Sequence, residues 1–245
     1  MSDRLVRRDG VPLHALVADY VREHVYTKQW GVDEPIPSEM ELASMLGLSR
    51  GTVKKGVRQL VNEGLLVQQR GRGTYVTKPV MARPASGHLM SFAESMGEAG
   101  IKHVTRVVTQ EVRTADSLCA KNLGIEAGEP FLYLERVRSV REQPVMYIES
   151  SLNLRVCPGL DAVDFAGESV FAAIERTSGR AMGHSEVTYS ARVAGSRRGA
   201  LLACDEHAPV LQMEQLVHLD DGTPVEWGSV WLPANRCVIK GEASR

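Results

Sequence analysis

The sequence predicts an α+β protein of two domains: a small helical domain that ends in a two-stranded hairpin, and a larger domain built on a mostly antiparallel sheet with helices. Three observations lead to this prediction. Three helical patterns precede two short strand patterns within residues 11–78. In the second half of the chain, a helical pattern followed by two strand patterns occurs twice. The length of 245 residues is ample for two hydrophobic cores.

A first amphipathic helix is predicted over about 12–27. Pro12 suits a first helical turn, and apolar residues then recur at spacings of three and four. These residues are Leu13, Leu16, Val17, Tyr20, Val21 and Val25.

A second, short helix is predicted to begin after Ser38. Glu41 follows Ser38 by three residues, and this capping-box spacing satisfies the free amides at a helix start. The helix is expected to run to about Leu46 and to bury Leu42, Met45 and Leu46.

The third helix is predicted over about 50–63, after the connection Gly47-Leu48-Ser49. Gly47 can take the left-handed conformation that ends a helix, and Ser49 can cap the next one. So short a connection makes the two helices cross steeply. The apolar side of the third helix is formed by Val53, Val57, Leu60 and Val61.

Strand character follows Gly64, in the stretch LLVQQRGRGTYVT. Gly71-Arg72-Gly73 divides it into two extended pieces, so it predicts a hairpin with Arg70 and Arg72 near the tip. Three helices followed by such a hairpin form the winged helix-turn-helix plan. In that plan the third helix enters the DNA major groove and the wing approaches the flanking backbone or minor groove.

Positive charge is concentrated in this part of the chain. The whole protein carries a net charge of −1, yet residues 49–78 hold seven Lys or Arg and the single acid Glu63. Such a patch favours a polyanionic partner, whereas the alternative is a solvated helix face. Lys55 and Arg58 are expected to be surface residues of that second kind, because helical rotation turns them away from Arg50 and Lys54.

Residues 11–78 resemble the GntR family of bacterial transcription regulators, through PSEMELA, LGLSRGTVKKGVRQLVNEGLL and RGRGTYV. The resemblance implies that the operator is contacted from the starts of the second and third helices and from the wing. Two positions depart from the family: Met40 and Lys54 stand where arginine is common. The implied DNA-binding residues are Ser38, Ser49, Arg50, Thr52, Lys54, Arg70, Gly71, Arg72 and Gly73.

The predicted domains are residues 1–77, which bind DNA, and residues 89–245, joined by a linker over 78–88. The linker region holds two prolines and no apolar period. Beyond it, EPFLYLERVRSVREQPVMYIESSLN (129–153) and APVLQMEQLVHLDDGTPVEWGSVWLP (208–233) each contain two strand patterns around a polar turn. A short helical pattern precedes each hairpin, in DSLCAKNLGI and SRRGALLAC.

The hairpin registers place charged residues on apolar sheet faces. A turn at Glu142-Gln143 would set Arg136 opposite Glu149 and Arg138 opposite Tyr147, on the face that also carries Leu132 and Leu134. Buried arginines must be paired or must bind an anion.

The register of the second hairpin places an acidic residue on an apolar sheet face as well. A turn at Asp221-Gly222 would set Glu226 opposite Val217, on the apolar face of its strand.

Residues 89–240 resemble the UTRA effector-binding module of the HutC subfamily of GntR regulators, which is similar in fold to chorismate lyase. The resemblance implies that the arginines bind a phosphate or carboxylate and that the glutamates meet hydroxyl or amine groups. Leu232 stands where sugar-phosphate-binding members often have tyrosine. The implied effector-binding residues are Ser91, Phe92, Arg136, Arg138, Tyr147, Glu149, Ser169 and Glu226. Two alternatives stay open: a purely structural Arg136–Glu149 pair, and Ser169 acting only as a helix cap.

Other kinds of site and location are not favoured. The four cysteines form no C-x-x-C pair, and the histidines show neither H-x3-H nor H-E-x-x-H spacing, so no metal site is predicted. No nucleophile–base pair or cofactor motif is evident, and no catalytic residue is predicted. No apolar run has the length of a membrane span, and a reducing cytoplasm is the expected location.

The sequence therefore predicts a ligand-responsive transcription regulator. It is expected to be a repressor that binds a near-palindromic operator as a homodimer and is released by a small anionic metabolite. Two alternatives remain: a lyase-like enzyme that acts on an anionic metabolite, and a DNA-binding protein whose second domain only dimerises.

Overall fold

The computed structural model describes residues 10–78, 81–84 and 89–240. They form two compact units, one chiefly from residues before 79 and the other chiefly from residues after 80. Each unit is described by itself. In the described part of the chain, no helix is both long enough and apolar enough to cross a membrane.

The N-terminal unit has the predicted plan of three helices and a wing. Its elements are α1 (Leu13–Tyr26), α2 (Glu39–Leu46), α3 (Arg50–Asn62), β1 (Leu66–Gln69) and β2 (Gly73–Val76). The two strands pair antiparallel, and α1, α2, α3 and the wing enclose one apolar core.

Both predicted helix caps are confirmed. The Ser38 hydroxyl accepts a hydrogen bond from the Glu41 amide at 3.2 Å, and the Glu41 carboxylate accepts one from the Ser38 amide at 2.8 Å. Gly47 ends α2 with a φ of 65°, and the Ser49 hydroxyl accepts from the Thr52 amide at 3.2 Å. These side chains fix where α2 and α3 begin, and thereby how steeply they cross.

Met45 is not buried as predicted. Its side chain is 41% exposed, whereas Leu42 and Leu46 lie in the core. Successive residues of a helix are rotated by about 100°, and α2 has only two turns, so a narrow row of apolar side chains is enough to anchor it in the core. Met45 lies beside that row.

Helices α1 and α3 touch at Gly56. A Cβ atom at this position would lie 2.7 Å from the carbonyl oxygen of His14 and 2.9 Å from the side chain of Val17. These distances are shorter than van der Waals contact, and the first involves backbone that cannot rotate away. The hydrogen of Gly56 is therefore what allows the close crossing of α1 and α3.

We expect Gly56→Ala to destabilise the N-terminal unit. Overpacking a tight core costs about 1–3 kcal/mol, which exceeds the gain of up to about 1 kcal/mol from replacing a helical glycine by alanine. Urea unfolding followed by circular dichroism measures the change. The matched control is Gly51→Ala in the same helix, where the nearest atom is the Ser49 hydroxyl at 3.9 Å. Equal stability of the two variants would contradict the close crossing.

The C-terminal unit is built on a six-stranded antiparallel sheet with strand order β4-β5-β6-β9-β8-β7. Its strands are β3 (Met81–Pro84), β4 (Val104–Thr114), β5 (Pro130–Val140), β6 (Gln143–Leu152), β7 (Met182–Val193), β8 (Pro209–Leu219), β9 (Pro224–Pro233) and β10 (Cys237–Lys240). Its helices are α4 (Phe92–Glu98), α5 (Ser117–Leu123), α6 (Val170–Ser178) and α7 (Gly195–Leu202), with a 3₁₀ turn at Leu160–Ala162.

The predicted internal repeat is present and is longer than the sequence indicated. Each half has a strand, a helix and then a hairpin: β4-α5-β5-β6 and β7-α7-β8-β9. The halves meet where β6 pairs with β9, at the centre of the sheet. Strands β4 and β7 form the two edges, and the strand pattern of neither had been identified.

The predicted linker contains a strand. Within 78–88, β3 pairs in parallel with β10 from the end of the chain. Lys78 precedes it, and the other linker residues lie outside the described residues. The short stretch Met81–Pro84 gave no strand signal because four residues are too few for a period, and its partner lies at the other end of the chain.

The predicted register of the first hairpin is wrong by one residue. Arg141 and Glu142 form the turn, both with positive φ (49° and 66°), and the register shifts between Arg138 and Ser139. Arg136 therefore pairs with Ile148, and Arg138 pairs with Met146. Because side chains alternate between the two faces of a sheet, this shift moves Tyr147 and Glu149 to the face opposite the arginines.

The predicted register of the second hairpin is confirmed where it matters for the site. Val217 pairs with Glu226, and Met213 pairs with Val230. Glu226 thus lies on the apolar face of β9, which is also the face that carries Arg136 and Arg138.

Candidate operator and effector sites

The start of α3 presents a basic, accessible surface. The side chain of Arg50 is 72% exposed, and its Nε lies 3.6 Å from a carboxylate oxygen of Glu39. Lys54, one turn further along, is exposed, and Thr52 lies between them with its hydroxyl 2.8 Å from that of Ser49. An exposed basic helix start of this kind suits contact with phosphate and with base edges.

Ser38 and Ser49 cap α2 and α3, as described above. Each hydroxyl oxygen already accepts a backbone amide. The Ser38 hydroxyl still has a proton that it can donate, so capping and a phosphate contact are compatible there. The Ser49 hydroxyl also forms a 2.8 Å hydrogen bond with the Thr52 hydroxyl, so one of these two protons is already used.

The wing tip carries two further cations. Arg70 and Arg72 are exposed on either side of Gly71, which has a φ of 75°, and Gly73 follows with a φ of 116°. These backbone angles favour glycine, and the two glycines let the chain reverse within a few residues. The reversal leaves both arginines at the end of the hairpin.

The single acid of the basic segment is already paired. Glu63 accepts hydrogen bonds from Arg22 of α1 at 2.9 and 3.2 Å and from Gln59 at 2.9 Å. Its charge is therefore compensated within the unit and does not offset the cations near the start of α3.

In the C-terminal unit, a small cavity lies on the arginine-bearing face of the sheet, bordered by the starts of α4 and α6. Its volume is about 30 Å³. Both charged and apolar side chains line it: Met90, Ser91, Phe92, Arg136, Arg138, Ile148, Val170, Phe171, Gln215, Glu226 and Val230. Ser91, Phe92, Arg136, Arg138 and Glu226 from the sequence prediction thus come together here.

Arg136 is buried in this lining and is only partly satisfied. One terminal nitrogen donates to the Ser150 hydroxyl at 3.2 Å, while its Nε has no hydrogen-bond partner among the described residues. Burial lowers the pKa of Arg136 to about 10, an effect that the Glu226 carboxylate partly offsets. The guanidinium is therefore short of compensating negative charge.

Arg138 is in a similar position one step along the same face. Burial, together with the charge of Arg136, lowers its pKa to about 9, against smaller opposing effects of Glu226 and Glu94. Its Nε donates to the Thr105 hydroxyl at 3.3 Å. Two cations that repel each other in a buried site make it favourable for an anion to bind there.

Glu226 is held by neutral donors. The Ser150 hydroxyl donates to one oxygen at 2.5 Å, and the side-chain amide of Gln215 donates to the other at 3.3 Å. Ser150 thereby links Arg136 to Glu226. Sequence reasoning missed Ser150, because only the observed register of the first hairpin brings it onto this face. It also missed Gln215, although the predicted register of the second hairpin already placed that residue on the face of Glu226.

Ser169 lies at the start of α6, beside the cavity rather than in its lining. Its hydroxyl accepts from the Ala172 amide at 3.2 Å and lies 3.4 Å from a carboxylate oxygen of Glu94. Ser91 caps α4 in the same way, in a capping box with Glu94. Glu94 thus connects the two helix starts.

Tyr147 and Glu149 belong to a different cluster, on the opposite face of the sheet. The Tyr147 hydroxyl donates to Glu135 at 2.5 Å, and Glu149 accepts from the Trp231 ring nitrogen at 2.8 Å and from Arg198 at 3.2 Å. The expected pairing of Arg136 with Glu149, and the placement of Tyr147 beside Arg138, are therefore wrong. The cause is the one-residue register shift.

Glu135 is the centre of this second cluster and was not identified from the sequence. It is buried and accepts from Arg197 at 2.5 and 2.7 Å, from Thr109 at 2.6 Å and from Tyr133 at 2.8 Å, in addition to Tyr147. The Arg197 guanidinium, with the hydroxyl donors, holds the pKa of Glu135 well below its usual range. A carboxylate with this many donors stays ionised.

We expect Arg197→Met to lower the melting temperature at pH 7 and to have a smaller effect at pH 3. A depressed carboxyl pKa stabilises the folded state fully above the unfolded-state pKa of about 4.3. This contribution begins to decrease below that value and is lost only as the pH falls through the depressed pKa of the folded state. Removing Arg197 raises the pKa of Glu135, so the difference in melting temperature between the parent protein and Arg197→Met becomes smaller in acid. Thermal melts between pH 7 and pH 3 measure this difference.

Arg155→Met is the control for this prediction. Its side chain is as exposed as that of Arg197 (62% and 61%), but its nearest carboxylate, on Glu129, is 3.7 Å away and is partly exposed itself. A difference in melting temperature between Arg197→Met and the parent protein that is independent of pH would contradict the role assigned to Glu135.

Comparison with known protein families decides the identity of both units. Residues 13–76 match the family model described as bacterial regulatory proteins, gntR family, and residues 98–237 match that of the UTRA domain. The chain belongs to the GntR family of regulators that carry a UTRA domain. This GntR–UTRA regulator is a ligand-responsive DNA-binding protein rather than an enzyme, and the lyase alternative is thereby excluded.

Relatives of the GntR–UTRA regulator extend along most of its length. It is 27% identical over 220 residues to the HTH-type transcriptional repressor NagR of Bacillus subtilis. The aligned region covers 90% of each chain. It is also 27% identical over 204 residues to the histidine utilization repressor of Pseudomonas putida, covering 83% of this chain and 77% of the other. The crystal structure of PhnF from Mycobacterium smegmatis superimposes with a TM-score of 0.64 at 24% identity, covering 93% of this chain and 99% of that one. The resemblance to the HutC subfamily and the predicted fold class are thus confirmed.

Proposed function

We propose that this GntR–UTRA regulator is a repressor that leaves its operator when a small anionic metabolite binds between the sheet and the starts of α4 and α6. The observation that carries the proposal is the buried pair Arg136 and Arg138, whose charges are incompletely compensated. A phosphate or carboxylate would supply the missing negative charge and would accept charge-assisted hydrogen bonds from both guanidiniums.

The remaining lining suggests what the rest of the metabolite looks like. Glu226 and Gln215 offer polar groups suited to a hydroxyl or amine, whereas Ile148, Phe171 and Val230 offer apolar contact. Leu232, where sugar-phosphate-binding members often have tyrosine, is buried in the core and offers no hydroxyl. A small metabolite with one anionic group and one neighbouring hydroxyl or amine fits this lining best.

The size of the cavity indicates how the metabolite acts. A volume of about 30 Å³ is small for an organic anion. We therefore propose that the starts of α4 and α6 move away from the sheet when the metabolite binds. An effector shifts the equilibrium between two forms only if it binds them with different affinity.

For the DNA-binding part, we propose that α3 reads the operator through Arg50 and Thr52 and that Lys54, Arg70 and Arg72 contact phosphates. Ser38 and Ser49 lie at helix starts, where their hydroxyl groups can donate to the DNA backbone. Gly71 and Gly73 let the wing tip approach the DNA backbone closely. One winged helix covers one half-site, so we propose a homodimer on a two-fold symmetric operator. We also propose that the protein acts in the cytoplasm, where it has access to the chromosome.

The proposal is tested by thermal melts of the full chain with pairs of metabolites that differ only in an anionic group, such as a sugar phosphate and the free sugar. A bound effector at a hundredfold excess over its Kd stabilises the protein by about 2.7 kcal/mol. The anionic member of a pair should stabilise the protein and should release a fluorescent operator fragment, while the neutral member should do neither. Stabilisation by neutral and anionic members alike would contradict an anion site.

A further inference from the structure

Two histidines face each other at the edge of the sheet, away from the cavity. His184 of β7 and His218 of β8 are partners across the antiparallel pair. Their rings are stacked, with centroids 4.5 Å apart and planes inclined by 4°. They lie on the face opposite Arg136 and Arg138, because Val217, the neighbour of His218, faces the same way as Glu226.

A carboxylate completes the group. Glu186 lies two residues beyond His184 on β7 and therefore on the same face. One ligand atom from each of His184, Glu186 and His218 lies within 4.8 Å of the other two. Zinc binds nitrogen and oxygen ligands at about 2.0–2.2 Å from the ion. Because the two imidazole planes are nearly parallel, at least one ring must turn out of the stack to direct its nitrogen at a shared ion.

One ring nitrogen of His218 is not satisfied by the protein. The Nδ1 of His218 is shielded from solvent and has no hydrogen-bond partner in the described part of the chain. Leaving a shielded polar nitrogen without a partner is unfavourable. His184 and Glu186 are exposed, so an ion can reach the group from solvent.

We propose that His184, Glu186 and His218 bind a divalent transition-metal ion of the zinc class, with water in the remaining position. Two imidazole nitrogens and one carboxylate oxygen suit zinc, whereas calcium and magnesium prefer ligand sets made entirely of oxygen. The ion joins β7, an edge strand held in the sheet by β8 alone, to β8 through side chains.

Spacing rules applied along the chain missed this group. His184 and Glu186 form a short H-x-E sequence on a strand, and the third ligand comes from the next strand after an intervening helix. Only the strand register brings the three residues together. The expectation that the protein has no metal site therefore concerned local motifs, which this group does not form.

The test uses the full-length protein, freed of metal by a chelator and titrated with ZnCl2 in a calorimeter. We expect one equivalent to bind, and at a hundredfold excess over Kd we expect the melting temperature to rise by roughly 5–10 °C. Both effects should be lost in His184→Ala and strongly weakened in Glu186→Gln. These two residues are exposed, so neither change should affect folding, and melts without metal verify this.

His207→Ala is the matched control. His207 also lies beside a carboxylate, that of Glu206 at 3.7 Å, but its side chain is 84% exposed. Zinc binding should be unchanged in this variant. Co²⁺ in place of Zn²⁺ reports the ligand type, because cysteine ligands add an intense near-ultraviolet band that nitrogen and oxygen ligands lack. One equivalent of zinc retained by His184→Ala, or a cobalt complex with that band, would overturn the site. Neither result would affect the proposed effector response, because the two groups lie on opposite faces of the sheet.

Discussion

Arg138→Met is expected to abolish release from the operator by the anionic effector while operator binding itself persists. Hydrogen bonds to charged groups contribute about 1.5–3 kcal/mol each, so losing one guanidinium weakens the effector complex by at least about tenfold. Operator release, measured by fluorescence anisotropy against effector concentration, reports the loss. The variant is then a repressor that stays on its operator when the effector is added.

The same substitution should not unfold the protein. Burial and the neighbouring Arg136 both disfavour the charge of Arg138. Methionine has a similar length without the charge, so the melting temperature should be unchanged or higher. Arg106→Ala is the control, an exposed arginine on β4 whose partner Val137 faces away from the cavity. A normal effector response in Arg138→Met would show that the anion binds elsewhere.

Replacing Arg50 and Arg72 together with alanine is expected to weaken operator binding strongly. Each such contact contributes about 1–3 kcal/mol, so the pair accounts for a loss of roughly 30-fold or more. The Arg50 change should also reduce the preference for the operator over other DNA sequences, whereas the Arg72 change should weaken binding to all sequences alike. Affinities for the operator and for a scrambled duplex, measured at several salt concentrations, separate the two effects.

The neighbouring lysines of α3 provide a matched pair for this experiment. Lys54→Ala should reduce the slope of log K against log salt by about 0.9, as expected for one lost phosphate contact. Lys55→Ala should leave the slope unchanged, because the rotation of about 100° per residue turns this side chain away from the face of Arg50 and Lys54. Identical slopes for both variants, or an Arg50–Arg72 double variant with normal affinity, would refute the proposed docking of α3 and the wing.

The N-terminal unit could be predicted closely because its signals are local. Ser38 and Glu41 are three residues apart, and Gly47 and Ser49 flank a single turn, so each cap follows from sequence alone. The burial of Met45 was mispredicted because periodicity over two turns does not separate a core position from its neighbour.

The effector face could be predicted only in part, because its register depends on one unusual turn and on an irregularity in the strands beyond it. Moving the turn by one residue changes the cross-strand partners by two and leaves each side chain on its face, so the register shift between Arg138 and Ser139 is what moves Tyr147 and Glu149 to the other face. Arg141 and Glu142 take positive φ values that usually favour glycine or asparagine, so nothing in the local sequence marks that turn. The Asp-Gly turn of the other hairpin carries such a signal, and the position of Glu226 was correct. Clusters such as Glu135–Arg197 and His184–His218 join distant segments and have no local signal.

The repeated architecture of the sheet also has a consequence for the order in which the chain folds. Hairpins β5-β6 and β8-β9 join segments that are adjacent in sequence, whereas the central seam joins residues 147–152 to residues 226–231. Closing so long a loop costs more entropy than forming either hairpin, so the seam is expected to close late and to limit the refolding rate. Trp227 and Trp231 lie on that seam, and their fluorescence in a stopped-flow experiment should therefore change in the slowest phase, after the two halves have already formed.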